Sequence, residues 1–191
     1  MSETRNEATV RVGVVVTFLR MDQPPPLPAP PLPPGFAVRP EPRCSLATYR
    51  RLYAGVGAAY VWWLRRMTPD AQLAALLASP STSIFILHDP EGREAGFYEL
   101  DGSGWPEVNL SYFGLMPQAV GHGLGLAFLR HAVDTAWRSG AQGMTVNTCT
   151  ADHPRALPTY LRAGFRPVRE VAETWNIPTR LGLAIPERLR V

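Results

Sequence analysis

Between Glu107 and Ser139 the chain reads as an alternating strand, a glycine-rich turn and an amphipathic helix, a succession that few folds accommodate. Val108 to Leu115 alternates, with Asn109, Ser111, Phe113 and Leu115 on one face and Val108, Leu110 and Tyr112 on the other. Pro117 cannot continue a ladder, and glycines follow at 121, 123 and 125, where backbone N–H groups can close on a ligand. The helix beyond buries Leu126, Leu129, Val133 and Trp137 at helical spacing. It sets Asp134 between Arg130 and Arg138 on a solvated face and stops at Gly140. Its first turn adds unpaired N–H groups and the positive end of a dipole. Together these parts make a cradle for an anion, most naturally phosphate or pyrophosphate. Without a ligand the same residues make a tight strand-to-helix turn.

The flanking sequence supplies the rest of a sheet. Val10 to Met21 is β-branched and aromatic enough for a strand. Pro24 to Pro34 is almost all proline, which dictates a stiff polyproline II segment. That segment is either a strut joining the first strand to the rest or a ligand for an SH3-like or WW-like groove. Phe36 to Arg39 is a short strand. Thr48 to Met67 is helical, with a stripe from Tyr49 to Met67 that Gly55 and Gly57 interrupt. Thr68-Pro69-Asp70 opens another helix with Thr68 as its cap, and Pro80 ends it. Ser83 to His88 and Glu94 to Leu100 form a hairpin across Asp89-Pro90-Glu91-Gly92. Met144 to Thr150 is a strand, Pro154 to Ala163 a short helix and Val168 to Trp175 a last strand. The alternation of strands and helices predicts an α/β fold with a mixed sheet.

Bulk properties narrow the function classes. A chain of 191 residues with 46% hydrophobic and 18% charged content supports one domain with a sizeable core. A net charge of +3, with scattered arginines, gives nucleic-acid binding little support. Two cysteines, Cys44 and Cys149, build neither a disulfide framework nor a zinc site, so no metal is expected and a reducing cytoplasm is the default. The sequence shows no signal pattern and no stretch long enough to span a bilayer.

The loop spacing discriminates among phosphate cradles. Gly121, Gly123 and Gly125 do not give G-x-G-x-x-G, and Leu126-Ala127 stand where a P-loop requires Lys-Ser/Thr. Gln118, Gly121 and Gly123 do give Q-x-x-G-x-G. In this position, after a strand ending Phe113-Gly114-Leu115-Met116-Pro117, it resembles the acyl-CoA-binding motif of the GNAT superfamily of N-acyltransferases. About thirty residues on, Ala156, Tyr160, Gly164 and Phe165 match that family's N-x-x-A-x-x-x-Y-x-x-x-G-F pattern, while His153, with Asp152 beside it, replaces the asparagine. The resemblance covers roughly residues 36–175. It implies the acyl-CoA N-acyltransferase fold, a mixed and mostly antiparallel sheet flanked by helices, here with an extra N-terminal strand. The expected division is residues 1–35 as strand and strut, then 36–191 as the acetyltransferase domain.

The resemblance also implies roles. Acetyl-CoA would be the cosubstrate and an amine-bearing molecule the acceptor, by direct attack on the thioester. Backbone N–H groups of Phe113 and Leu115, around Gly114, would hold the pantetheine arm. Residues Val120, Gly121, His122, Gly123, Leu124, Gly125 and Leu126 would wrap the pyrophosphate, with Gln118 and His153 as further contacts. Tyr160 matches the family's general acid, placed to protonate the departing sulfur. For the base, Glu107 shares strand parity with Phe113 and Leu115 and so could face the cleft; Glu99 on the neighbouring strand is the alternative. The family's usual base position falls on Asn109 by one alignment. Cys149 reads as small core packing, since direct transfer needs no nucleophile.

Acceptor choice should lie with the aromatic residues of the first helices. Trp62 points off the stripe made by Tyr60, Trp63 and Leu64, so Trp62 and Tyr60, with Asn109, are the expected acceptor contacts. No acidic cluster recruits a lysine-rich tail, which favours a small amine, an amino acid or a peptide N-terminus. The family usually closes with a hairpin, whereas Pro178 and Pro186 follow Trp175 here. The N-terminal strand is therefore expected to replace, or pair beside, the missing last strand, within this chain or across a homodimer. Two other classes fit the same residues: a silent acyl-CoA sensor, and an adaptor recognised through its Pro-Leu-Pro segment.

Overall fold

The computed structural model describes residues 7–191; the first six residues of the expected N-terminal segment lie outside that range. The strands are β1 Thr9–Met21, β2 Ala37–Pro40, β3 Thr82–His88, β4 Glu94–Asp101, β5 Glu107–Leu115, β6 Gly143–Cys149 and β7 Arg166–Pro178. They form one sheet in the order β2-β3-β4-β5-β6-β1-β7. Every neighbouring pair is antiparallel except β5 and β6. The helices are α1 Leu46–Gly57, α2 Leu64–Met67, α3 Asp70–Leu77, α4 Leu124–Arg138 and α5 Ala156–Ala163.

Two apolar cores cover opposite faces of this sheet. Leu124, Phe128, Leu129, Ala132 and Val133 of α4 and Tyr160 of α5 pack on Tyr98, Leu100, Val108 and Leu110. Tyr49, Leu52, Tyr53 and Val56 of α1, with Leu73 of α3, pack on Ile84, Ile86 and Phe97. The break expected at Gly55 and Gly57 comes after Gly57. A Cβ at Gly57 would stand 2.4 Å from Trp62 Cβ, so the chain turns back on itself there. The cap of α3 falls on Pro69, not Thr68, whose hydroxyl instead donates to the carbonyl of Leu64, the first residue of α2.

The N-terminal strand is not a separate unit. β1 lies inside the sheet, paired with β6 from Val16↔Cys149 to Met21↔Met144 and with β7 from Thr9↔Pro178 to Arg20↔Arg166. It takes the place of the expected last strand within its own chain, and β7 becomes the edge that Pro178 suits. No break in the sheet corresponds to a boundary at residue 35. β1 buries Val12, Val14, Val16, Leu19 and Met21. At about 1.5–3 kcal/mol for each buried side chain, these five contribute roughly 7–15 kcal/mol, which equals the whole stability of an ordinary domain. A variant lacking residues 1–21 is therefore expected to lose its near-UV circular dichroism and cooperative melting; a folded monomer with an unchanged melting curve would contradict this placement.

The proline segment packs on its own domain. The Arg130 guanidinium donates to the Leu27 carbonyl at 2.5 Å, and Leu32 packs against the α4 core. Arg130 is consequently buried, contrary to the solvated face expected for it. Its neighbours on the helix gave no sign of this, because its cover comes from more than a hundred residues away in sequence.

One irregularity governs the site. Tyr112 pairs with Glu99 but Leu110 pairs with Leu100, so Ser111 is an extra residue, a bulge in β5. The bulge shifts the pleat by one residue. Val108, Leu110, Phe113 and Leu115 consequently face α4, while Tyr112 and Met116 face α1. The parity that tied Glu107 and Asn109 to Phe113 and Leu115 does not survive it.

Candidate active site

The one parallel pair among the described residues is short. β5 and β6 are bonded from Glu107↔Gly143 to Leu110↔Val146 and no further. Beyond that point β5 stays with β4 and β6 stays with β1. The two strands part, and on the side away from β4 Ser111–Leu115 keep an edge of backbone groups that no strand among the described residues pairs with. That edge opens into a cavity of about 930 Å³ lined also by the glycine turn, the start of α4, one face of α5 and the residues after β6. Pro30, Pro31 and Pro33 of the proline segment form a further wall, a role that composition alone could not disclose.

The turn is shaped for a ligand that approaches closely. Gly121 and Gly123 have φ of +92° and +74°, a region that favours glycine, and Gly123 caps α4. A Cβ at Gly121, Gly123 or Gly125 would meet no protein atom within 4 Å. Among the described residues nothing crowds the space in front of these glycines. The first N–H groups of α4, with the helix dipole behind them, stand at the cavity wall, an arrangement that favours an anion. Val120, Gly121, Gly123, Leu124, Gly125 and Leu126 line the cavity, as do Phe113, Gly114, Leu115 and His153. His122 is exposed and outside the lining. Gln118 also lies outside; its side-chain amide donates to the Glu94 carbonyl at 3.2 Å and pins the turn to β4. Gly114 has a different task. A Cβ there would stand 2.3 Å from Val56 Cγ1, so glycine lets α1 approach β5.

Tyr160 lies in the cavity wall, buried, with its ring against Phe113 and Phe165. Burial, and secondarily the nearby negative Asp152, raise its pKa, so the phenol holds its proton at neutral pH and is a donor. Cys149 also borders the cavity, but burial and then Asp152 push its thiol up to about 12. A neutral thiol is a poor nucleophile.

The carboxylates expected to act as base stand elsewhere. Glu107 lies at the far end of β5, 2.5 Å from an Arg20 guanidinium nitrogen. That hydrogen bond holds its carboxyl below the usual range, which makes it a weaker base, and Glu107 does not line the cavity. Glu99 is 1% exposed on the α1 face, accepting from the Tyr49 hydroxyl and paired with Arg65 at 2.7 Å. Asn109 donates to the Thr145 carbonyl and hydroxyl across the parallel pair and is likewise outside. The bulge at Ser111 is the physical reason for both β5 corrections; for Glu99 it is the unseen partner Arg65.

Among the described residues one carboxylate does line the cavity. Asp152 Oδ2 accepts from the Thr148 hydroxyl and the Cys149 N–H, each at 2.8 Å, while Oδ1 lies 3.5 Å from the Trp62 indole nitrogen. The sequence signal was its place beside His153, just before the second motif. Tyr60 and Trp62 are both in the lining, with Trp63 and Trp175, whose rings are 6.3 Å apart. Val61 between them has φ of +59°, an outlier for a β-branched residue, held by burial at 2% exposure.

A parting parallel pair, a glycine turn at the parting and a buried tyrosine opposite define an acyl-CoA N-acyltransferase fold. The chain belongs to the acetyltransferase (GNAT) family, whose model matches residues 49–165. Members of that family are transferases that use acetyl-CoA and an acceptor. No curated protein sequence matches the chain significantly. Among solved structures, a GCN5-related N-acetyltransferase from Sphaerobacter thermophilus is 19% identical, with a TM-score of 0.62 over 92% of this chain and 55% of its own. One from Kribbella flavida is 18% identical, with a TM-score of 0.60 over 88% and 60%. The ribosomal-protein-S18-alanine N-acetyltransferase from Escherichia coli is 16% identical, with a TM-score of 0.56 over 81% and 98%. The chain thus spans little more than half the length of the first two. These likenesses establish the fold. No helix among the described residues is long and apolar enough to cross a membrane.

Proposed function

We propose that the chain is an N-acetyltransferase that moves an acetyl group from acetyl-CoA to a primary amine by direct attack. The observation that carries this reading is the convergence of three things on one cavity. These are the unpaired edge of β5, the open glycine turn at the start of α4, and the protonated phenol of Tyr160. Acetyl-CoA supplies the activated acyl group as a thioester. The N–H groups of residues 113–115 hold the amide-bearing arm and polarise the acyl carbonyl. The turn and the first N–H groups of α4 bind the pyrophosphate. Tyr160 protonates the leaving sulfur.

The test is release of free thiol from acetyl-CoA across a panel of amines, amino acids and peptides. The chain contains no lysine, so its own side chains add no acceptor amine. Absence of turnover with every acceptor would count against the reading. A second measurement isolates the cofactor site. Gly125 sits in the first turn of α4 without a positive φ, and its Cβ would touch nothing. Gly125→Ala is therefore expected to leave the free protein as stable or about 0.5–1 kcal/mol more so. It should weaken acetyl-CoA in a calorimetric titration, because a ligand lying against the turn meets the new methyl. Equal affinity would place the ligand elsewhere.

A further inference from the structure

The acceptor side of the cavity carries information beyond the family's chemistry. Its walls are Tyr60, Trp62, Trp63 and Trp175, and its one lining carboxylate among the described residues is Asp152. That carboxylate is fixed, since Oδ2 is taken by Thr148 and the Cys149 N–H. Among the described residues no cation pairs with it. Oδ1 accepts from the Trp62 indole N–H at 3.5 Å, its one hydrogen bond among the described residues. A carboxylate with no cationic partner, set against aromatic faces, is the arrangement that attracts an ammonium group, through a charge-assisted hydrogen bond and the ring quadrupoles. The strained backbone at Val61 and the absence of a Cβ at Gly57 both serve to seat Trp62 there, which marks the wall as built.

We propose that Asp152 anchors the acceptor's ammonium group and takes its first proton, and that the acceptor is a primary amine carried on a flat apolar body lying against Trp62 and Tyr60. The inference rests on the acetyl-transfer reading. One proton passes from the ammonium to Asp152 Oδ1, and the freed nitrogen forms a bond to the acyl carbon. The carbon–sulfur bond breaks, and the departing sulfur takes the Tyr160 proton. The second proton lost by nitrogen restores the phenol, and Asp152 returns its proton to solvent.

The test separates amine binding from turnover. 2-Phenylethylamine is titrated against the full chain by tryptophan fluorescence, with 3-phenylpropanoate as its anionic counterpart and acetyl-CoA titrated in parallel by calorimetry. The amine is expected to bind and the anion not to. Asp152→Asn should weaken the amine about 10- to 100-fold, as loss of a charged hydrogen bond does. Acetyl-CoA affinity should be unchanged. If Asp152→Asn fails to fold, Trp62→Leu serves, since it leaves the carboxylate's bonds to Thr148 and the Cys149 N–H intact. It should weaken 2-phenylethylamine about 2- to 30-fold and n-butylamine less. Equal binding of amine and anion, no binding of the amine, or amine binding indifferent to both substitutions overturns the proposal. Asp152-dependent amine binding without acetyl-CoA binding would sustain the ammonium anchor and overturn the acetyl-transfer reading, with the proton step that rests on it.

Discussion

Tyr160→Phe is expected to lower kcat for acetyl transfer by about 10²- to 10⁴-fold, the usual contribution of a positioned acid, with little change in acetyl-CoA affinity. The ring is buried between Phe113 and Phe165, and a phenylalanine keeps both contacts. Only the hydroxyl is lost. Its raised pKa keeps it a donor through neutral pH, so the sulfur would have to leave as an unprotonated thiolate in the variant. Thiol release at saturating acetyl-CoA, with thermal melting to verify the fold, gives the measurement. A kcat within about threefold of the parent would remove Tyr160 from the chemistry, because a purely structural tyrosine loses little by this change. A silent acyl-CoA sensor would differ again, with binding intact and no turnover in either protein.

Glu99→Ala is expected to destabilise the fold by about 3–5 kcal/mol, the penalty for breaking a buried ion pair from one side. Glu99 is 1% exposed and holds both the Tyr49 hydroxyl and Arg65. Arg65 also donates to the Tyr49 hydroxyl at 3.2 Å and lies 5.2 Å from the Tyr112 ring centroid. Removing the carboxylate leaves a largely buried guanidinium without its counter-charge. For a chain of this size the melting temperature should fall roughly 6–20 °C. The same network joins α2 to the sheet through Arg65 and Glu99 and to α1 through the Arg65 N–H, which donates to the Tyr53 hydroxyl. A base would behave in the opposite way, losing rate and keeping stability. A melting temperature unchanged in Glu99→Ala would refute the structural role assigned here.

Much of this protein is legible from its sequence. Strand alternation, proline stops and helical periodicity place every main element within a few residues of its position. The glycine spacing with the Ala156–Phe165 pattern identifies the family, and the surplus strand with Pro178 foretells β1 in the sheet. These are local signals: each depends on residues close together in the chain, whose dihedral preferences and periodicity act before any tertiary contact forms. Phe113 to Leu115, the glycines and Tyr160, which line the cavity, belong to such local motifs.

What the sequence could not show depends on pairing at a distance. The bulge at Ser111 exists only because β4 and β5 meet in one register, and it turns Glu107 and Asn109 away from the cleft. Arg20, Arg65 and Leu27 each reached a partner through tertiary packing alone, claiming Glu107, Glu99 and Arg130. The sequence determined the kind of sheet, the turn that opens beside it and the tyrosine that faces it. The tertiary structure decided which carboxylate, among the described residues, lines the cavity without a cationic partner. A charge is available for chemistry only where the folded chain leaves it without a partner, and that is fixed by three-dimensional neighbours, which single-chain spacing does not encode.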